Sequence, residues 1–343
     1  MACTQVSLAE SPYDFELDRV IDWIRQNNFK KVLLQSAPGL IRYLPEIGCY
    51  IKQMTSADTV VDGRGRFGAC DVYTNLTGFE AVVHFGHTGF INTSYPILYI
   101  PAFSKIDATK LFHKILDALS NMEKVGLSAS VQHVNTLPTL YEYLARNGKK
   151  PFMGQPGKRC LYPGQVVGCD YLSAIRIDSK VDCHLIIAGG EFHAIGLALS
   201  VFKPVLHVEP YAGSVEWVSK SKVDRVNRIR GFAALTLQSA KKVALVDISL
   251  PGQHTSSLIE KLEVFLKRVK PTSQVNSFTT ELLNDQFLLG LKELGYEVVV
   301  TAGCTRFATD DFDRSPIPIF EAREVYGLYL KGLNVDKGVF ILQ

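Results

Sequence analysis

Seven cysteines (Cys3, Cys49, Cys70, Cys160, Cys169, Cys183 and Cys304) are the side chains with the most chemical potential in this sequence. Their number is odd, and they are scattered over 343 residues. A disulfide framework fits that pattern poorly; reduced thiols, a few of them metal ligands or catalytic groups, fit it better. Two of the seven open a Cys-Asp pair in small, turn-prone surroundings, Gly68-Ala69-Cys70-Asp71 and Val167-Gly168-Cys169-Asp170. Such surroundings let backbone approach a bulky inorganic cluster. Together with Cys304 they suggest one metal centre held by Cys70, Cys169 and Cys304. No zinc knuckle or ferredoxin run has such wide separations, so only a repeated architecture would bring the three together. Three thiolates leave one iron of a [4Fe-4S] cluster without a protein ligand, and that iron can bind a substrate. The plain alternative is three ordinary buried cysteines.

The elements that must position these thiols recur along the chain. An amphipathic helix is expected over Asp14 to Gln26, with Phe15, Leu17, Val20, Ile21 and Ile24 on one face. A basic residue, an apolar strand, a turn and a helix then follow in order at 30–40, 124–138 and 241–252. Short apolar runs of this kind read as buried parallel strands feeding helices. The repetition runs deeper in the first two thirds. Cys70-Asp71 precedes the strand Ala81 to Gly86, then His87, then a Pro-led strand at 95–100. Cys169-Asp170 precedes the strand Cys183 to Gly190, then His193, then a Pro-led strand at 203–208. In a more diverged third copy, Cys304 follows the strand Tyr296 to Thr301, and Ser315 to Ile319 is the Pro-led strand. The expectation is an α/β chain of three homologous Rossmann-like parallel-sheet domains arranged around a central iron–sulfur site. Their bounds are 1–107 with Cys70, 108–214 with Cys169 and 215–343 with Cys304. Each cysteine would stand at the carboxyl end of its sheet, where open parallel sheets bind ligands.

Three turns follow predicted strands and so belong to the same edge. They hold the candidate cofactor-binding residues Gln35, Pro38, Gly39, Gly190, Phe192, His193, Gly252 and Gln253, whose exposed N–H groups suit a carboxylate. Gly86-His87 and His193 occupy matching places in two copies, which assigns them to the pocket as well. The remaining cysteines read as structural, Cys49 and Cys183 as core packing, with Cys160, in a Gly/Pro-rich loop ahead of Cys169, the best candidate among them for an extra ligand. A zinc site of Cys160, Cys169, Cys183 and His184 is disfavoured by irregular gaps and by adjacent residues pointing to opposite faces of a strand. Gly63-Arg64-Gly65-Arg66-Phe67-Gly68 matches G-x-G-x-x-G but follows the second strand and has no acid where a dinucleotide site needs one. It reads as a flexible loop ahead of Cys70.

Hydrophobic residues make up 47% of the chain and charged residues 21%, so it can bury real cores. Thirty-seven basic against 34 acidic residues give +3, too balanced for a protein that lives on nucleic acid. No run of 18 apolar residues predicts a membrane span, and the first residues lack a secretory pattern, so a cytoplasmic protein is expected.

G-A-C-D at 68–71, G-Q-V-V-G-C-D at 164–170, L-Q-x-x-P-G-L at 34–40 and T-A-x-C-x-R at 301–306 resemble the diphthamide biosynthesis radical enzymes, most closely the archaeal single-protein form. The resemblance covers about residues 14 to 340. It implies three α/β domains holding a [4Fe-4S] cluster through Cys70, Cys169 and Cys304. It also implies S-adenosylmethionine as co-substrate, cleaved at its Cγ–S bond by the reduced cluster. The 3-amino-3-carboxypropyl group would go to C2 of a histidine imidazole in translation elongation factor 2, the first step of diphthamide synthesis. A homodimer and a separate electron donor are implied too. In this sequence the third motif has an inserted Gly303 and lacks the family's proline, so the loop around Cys304 and the role of Arg306 differ from the usual pattern. The competing readings are a non-catalytic iron–sulfur electron carrier or scaffold partner of such an enzyme, and a nicotinamide-dependent oxidoreductase.

Overall fold

Residues 8–73, 75–308 and 314–331 are described in the computed structural model. Apolar, β-branched runs such as Val32-Leu33-Leu34, Leu185-Ile186-Ile187 and Val243 to Val246 are almost wholly buried, as strands covered on both faces must be. They are the central strands of three separate sheets.

The first sheet contains β1 (Lys31–Ser36), β2 (Asp58–Val61), β3 (Ala81–Phe85) and β4 (Ile97–Ile100). The second contains β5 (Lys124–Ala129), β6 (Lys150–Phe152), β7 (Cys183–Ile187), β8 (Val205–Glu209) and β9 (Ser214–Trp217). The third contains β10 (Lys242–Ile248), β11 (Gln274–Thr280), β12 (Val298–Thr301) and β13 (Ile319–Glu321). Within these three sheets all pairings are parallel except β8 with β9; a separate short ladder pairs Tyr13–Asp14 antiparallel with Phe103–Ser104. In every sheet the order is second, first, third and fourth strand; in the second sheet antiparallel β9 extends the far edge. The chain is thus α/β with several parallel sheets.

Packing divides it into two compact units. The described residues up to Ala194 with Val201–Trp217 form one, holding the first two sheets; 195–200 with the described residues from Val218 onward form the other, holding the third. In the first unit, α1 (Leu17–Asn27) buries Val20, Ile21 and Ile24 and stops where Asn28 turns left-handed. Its neighbour α2 (Leu44–Thr55) buries Leu44, Ile47 and Ile51, and α3 (Leu137–Arg146) buries Leu137, Leu140 and Leu144. In the second unit, α4 (Ser256–Val269) buries Ile259, Leu262, Phe265 and Leu266.

One device is built three times. The acid just before the third strand of each sheet accepts the two backbone N–H groups at the start of the first strand. Glu80 takes those of Lys30 and Lys31, Asp182 those of Glu123 and Lys124 (3.1 and 2.8 Å), and Glu297 those of Lys241 and Lys242 (2.7 and 3.1 Å). These bonds hold the Glu80 and Asp182 carboxyls below the usual carboxylate range.

Several sequence expectations need correcting. The Pro-Gly turn after β1 is instead a 3-10 turn, Pro38–Tyr43, running straight into α2. The last strand of the third sheet begins at Ile319, because Ser315 to Pro318 includes two prolines that cannot donate to a ladder. Cys49 is disulfide-bonded, not a reduced core thiol, and stands half-buried on α2. Cys183 is buried in β7 as expected. Cys304 does not sit on a connection equivalent to those of Cys70 and Cys169. They follow the second strands, β2 and β6, whereas Cys304 follows the third, β12.

Glu80→Ala is expected to leave the Lys30 and Lys31 N–H groups to water. Their amide hydrogen exchange should quicken by about tenfold or more while Val83 at the centre of the sheet stays protected. Unchanged exchange at Lys31 would show that the clamp contributes nothing.

Candidate functional site

The connection from β2 to Cys70 is short of regular structure, so its side chains must fix it. Arg66, 1% exposed, does so. Its guanidinium pairs with Asp62, with Nε at 2.8 Å from Oδ2, and with Asp71, with Nη1 at 3.1 Å from Oδ1, while its face lies over the Tyr73 ring. Arg64 pairs with Asp71 as well. The Arg66 N–H donates to the Ser36 carbonyl at the end of β1 (2.8 Å), and Gly65 packs so closely on Pro38 that a Cβ would stand 2.7 Å from the proline ring. The G-x-G-x-x-G segment is therefore a pinned loop, not a flexible one. The two carboxylates make Arg66 still harder to deprotonate, overcoming the opposing effect of burial.

The connection carrying Cys169 uses the same residue type in the same place. Asp170 accepts from the N–H groups of Arg159 and Leu172, both at 3.0 Å. Gly157 sits against that carboxylate, where a Cβ would lie 2.1 Å from both oxygens. The Asp of each Cys-Asp pair thus braces the loop behind its cysteine.

Arg159 brings the two connections together. Its guanidinium hydrogen-bonds the Cys169 sulfur, lies in the field of Cys70 and rests on the Phe90 ring, 5.3 Å from its centre. Burial alone would lower its pKa; Cys169, Cys70 and Asp170 reverse that and raise it. Cys70 and Cys169 are both partly exposed thiols without disulfides, as is Cys304 in the other compact unit. Gly68 leaves room for the Cys70 sulfur, which a Cβ there would approach to 3.1 Å, and Gly168 is covered by the Phe192 ring. Cys160 is buried near Cys169 and Asp170, and burial keeps its thiol protonated. His184 is engaged with Asp178 at 3.0 Å. Among the described residues, no three His, Cys, Asp or Glu side chains are grouped so as to hold a metal ion by themselves.

The predicted pocket residues fall into two sets. In the first unit, Gln35, Pro38, Gly86 and His87 adjoin the Cys70 connection. Gln35 Nε2 donates to Asp62 (3.2 Å) and its Oε1 lies 3.4 Å from His84 Nδ1; His84 Nε2 lies 2.8 Å from His87 Nδ1. Gly86 takes a left-handed φ of 100° to turn the chain there. Gly39 touches no such group, and Gly190 has only its left-handed turn. Phe192 packs on Gly168 beside Cys169, with His193 against its ring. In the second unit, buried Gln253 closes a turn onto Leu250 and faces Gly303, next to Cys304; Gly252 lies in the same turn. Arg306 lies in a short 3-10 turn after Cys304.

The sequence reading missed Arg159, Arg66, Asp62 and His84. The repeated Cys-Asp pairs were the available signal for the bracing carboxylates. Nothing local marks Arg159, whose partners lie on two sheets. His87 is held neutral, its pKa lowered to about 4 by burial, and His133 likewise. Burial, then the charges of His87 and Arg66, lower that of His84 well below the ordinary value.

Gly157→Ala should push the Asp170 carboxylate off both N–H groups and destabilise the first unit by about 1–3 kcal/mol, read from urea denaturation. Stability should also fall as pH drops from about 6.5 towards about 4. Over that window the unfolded chain binds protons that folded His87 and His133 refuse, each tenfold difference in affinity being worth about 1.4 kcal/mol. Denaturation at neutral pH and near pH 4 measures this, and a flat profile would contradict the buried neutral pair.

Comparison with known proteins places these features in a family. The diphthamide synthesis protein family model matches residues 37–329. The 2-(3-amino-3-carboxypropyl)histidine synthase of Pyrococcus horikoshii is 24% identical over 318 residues, 91% of this chain and 90% of that protein. The human 2-(3-amino-3-carboxypropyl)histidine synthase subunit 1 is 27% identical over 331 residues, covering 93% of this chain and 72% of the relative. The fold is that of Dph2 from Pyrococcus horikoshii with a 4Fe-4S cluster, at a TM-score of 0.83 and 23% identity over 96% of this chain and 93% of that one. No helix among the described residues is long and apolar enough to cross a membrane. With its braced Cys-Asp connections and a family match that runs from the first sheet through the third, the chain belongs to the diphthamide synthesis protein family.

Proposed function

We propose that this chain is a 3-amino-3-carboxypropyl transferase. It moves that group from S-adenosylmethionine to an imidazole carbon of a histidine in translation elongation factor 2, the first step of diphthamide synthesis. The observation that carries the reading is Arg159 between Cys70 and Cys169: two partly exposed thiols, on equivalent connections of two sheets, sharing one guanidinium. Family membership and the names of the relatives support it.

The donor set suits an iron–sulfur cluster: soft thiolates, small neighbours at Gly68 and Gly168, and a cation to offset their charge. Cys70, Cys169 and Cys304 would hold it. When bound, a [4Fe-4S] cluster supplies an iron with an open coordination position and the electron, delivered by a separate donor, for breaking a sulfonium C–S bond. The chain does the rest. Arg159 offsets thiolate charge beside two of the three ligands. Phe192 over Gly168 keeps water from the Cys169 side. Gln35, Pro38, Gly86 and His87 beside the Cys70 connection, Phe192 and His193 beside Cys169, and Gln253 with Gly252 beside Cys304 would be the pocket walls whose geometry decides which carbon of the sulfonium is presented for cleavage. Overall, a C–S bond breaks, a C–C bond forms at the imidazole C2, and the C2 proton leaves.

The test is anaerobic transfer from carboxypropyl-labelled S-adenosylmethionine to elongation factor 2 with dithionite. Label should enter the factor, and the nucleoside product should be methylthioadenosine. Cys70→Ala, Cys169→Ala and Cys304→Ala should each lose label transfer and bound iron and sulfide, while Cys183→Ala keeps the iron. Mainly 5′-deoxyadenosine as product would refute the assigned cleavage, and full cluster retention in any of the three would remove that cysteine from the set.

A further inference from the structure

A chain of hydrogen bonds running from the Cys70 connection fixes where every proton on it must lie. Asp62 Oδ2 already accepts from the Arg66 guanidinium, so the group Gln35 turns towards that oxygen at 3.2 Å is its NH2, a donor. The Gln35 carbonyl oxygen therefore faces His84 Nδ1 at 3.4 Å, and Nδ1 must carry the proton. His84 is buried and neutral, so its Nε2 is a bare acceptor. It lies 2.8 Å from His87 Nδ1, which must in turn be the donor. His87 is neutral as well, so its proton is committed to Nδ1 and its Nε2 keeps a lone pair. The two ring nitrogens face widely different directions, so this lone pair points away from His84. Nε2 makes no hydrogen bond to the described residues, and the ring is only half-buried.

The place of His87 in the fold is equally determined. The Gly86 carbonyl before it accepts from Gln132 Nε2 at 2.7 Å, and the Thr88 hydroxyl after it accepts from Gln165 Nε2 at 3.0 Å. Both glutamines come from connections of the second sheet, Gln165 from the one that carries Cys169. His87 is thus held between two connections of the second sheet, one of which bears Cys169, while the His84–Gln35–Asp62 chain ties it to the connection that bears Cys70. It follows the third strand of its sheet, the connection that in the third sheet carries Cys304.

We infer that His87 Nε2 is a permanent hydrogen-bond acceptor in the substrate pocket and that it receives the α-ammonium group of the sulfonium amino acid. The inference rests on the transferase reading above. At the amino-acid end of S-adenosylmethionine the carboxylate and the sulfonium carry no hydrogen to donate. A lone pair repels the carboxylate, and only the ammonium offers N–H groups. An imidazole locked in this tautomer therefore selects for the amine and sets its position relative to the two cysteines.

Two measurements test this. The first is nitrogen NMR of the cluster-free protein labelled at its eight histidines, with His84 and His87 assigned by substitution. Both should be neutral Nδ1–H tautomers at neutral pH. An Nε2–H tautomer or an imidazolium at His87 overturns the inference. The second is calorimetric binding of S-adenosylmethionine, its deaminated analogue and methylthioadenosine to the cluster-loaded protein. His87→Phe should weaken S-adenosylmethionine by about tenfold, the loss of one hydrogen bond to a charged group. It should leave the other two compounds unchanged, which also shows that the variant is folded. His87→Gln, whose amide oxygen can stand in for Nε2, should recover much of the loss. Equal weakening of all three compounds, or none, overturns the inference. Wild-type protein that binds none of them overturns the transferase reading instead.

Discussion

A buried guanidinium is costly unless its donors are matched, and Arg66 is the largest fully buried side chain among the described residues. Each of its three nitrogens finds a carboxylate because the chain supplies Asp62 before it and Asp71 after it, and Asp71 adjoins Cys70. The ion pair therefore turns a stretch without regular structure into a fixed mount for a thiol. Breaking such a pair by removing one partner costs about 3–5 kcal/mol, because it leaves a charge stranded. The same carboxylate, Asp62, holds Gln35 in one orientation, and through it the two histidines. Mount and pocket thus share a single anchor.

The sheets repeat one construction and then depart from it at one point. Strand order and the acid that clamps the first strand recur in all three. These are backbone solutions: a parallel sheet needs its first strand's opening N–H groups satisfied, and an acid one residue ahead of the neighbouring strand is in reach. The cysteines are less uniform. Cys70 and Cys169 ride on the connection after the second strand, each braced by its own aspartate. Cys304 rides on the connection after the third strand, beside Gly303, which packs close to Ile248 and Phe307. The inserted glycine belongs to that different setting: a side chain there would stand 2.7 Å from Ile248.

How much could be read from the residue order follows from the range of the forces involved. Strands β1, β5 and β10 were legible because burial on two faces demands unbroken apolar runs. The stripe of Val20, Ile21 and Ile24 marked α1 for the same reason. The paired Cys-Asp motif pointed to the right connections, since a short acid can brace its own loop. Arg66 was misread as part of a flexible glycine-rich segment, because nothing in G-R-G-R-F-G says that its arginine will meet two carboxylates out of water. Arg159 was invisible: its partners Cys169, Cys70 and Phe90 belong to connections of two sheets, and only the packing of those sheets brings them to one guanidinium. The disulfide at Cys49 lay beyond a reading that treated all seven thiols as reduced.

Charge balance at the two connections explains why thiols are placed there at all. Asp62, Asp71 and Asp170 are matched by Arg64, Arg66 and Arg159, and the neighbouring histidines His84 and His87 are neutral. The fixed charges therefore cancel before either cysteine ionises. A first thiolate can lean on Arg159, which it shares with Asp170, but a second has no cation of its own among these groups. A pocket so arranged favours a positively charged occupant that thiolates can bind directly, which agrees with the cluster and sulfonium of the proposed function. A neutral or anionic occupant would gain nothing from the surplus. The same accounting agrees with the acceptor inferred at His87, since the inferred ammonium would bring the positive charge that these groups lack once the thiols ionise.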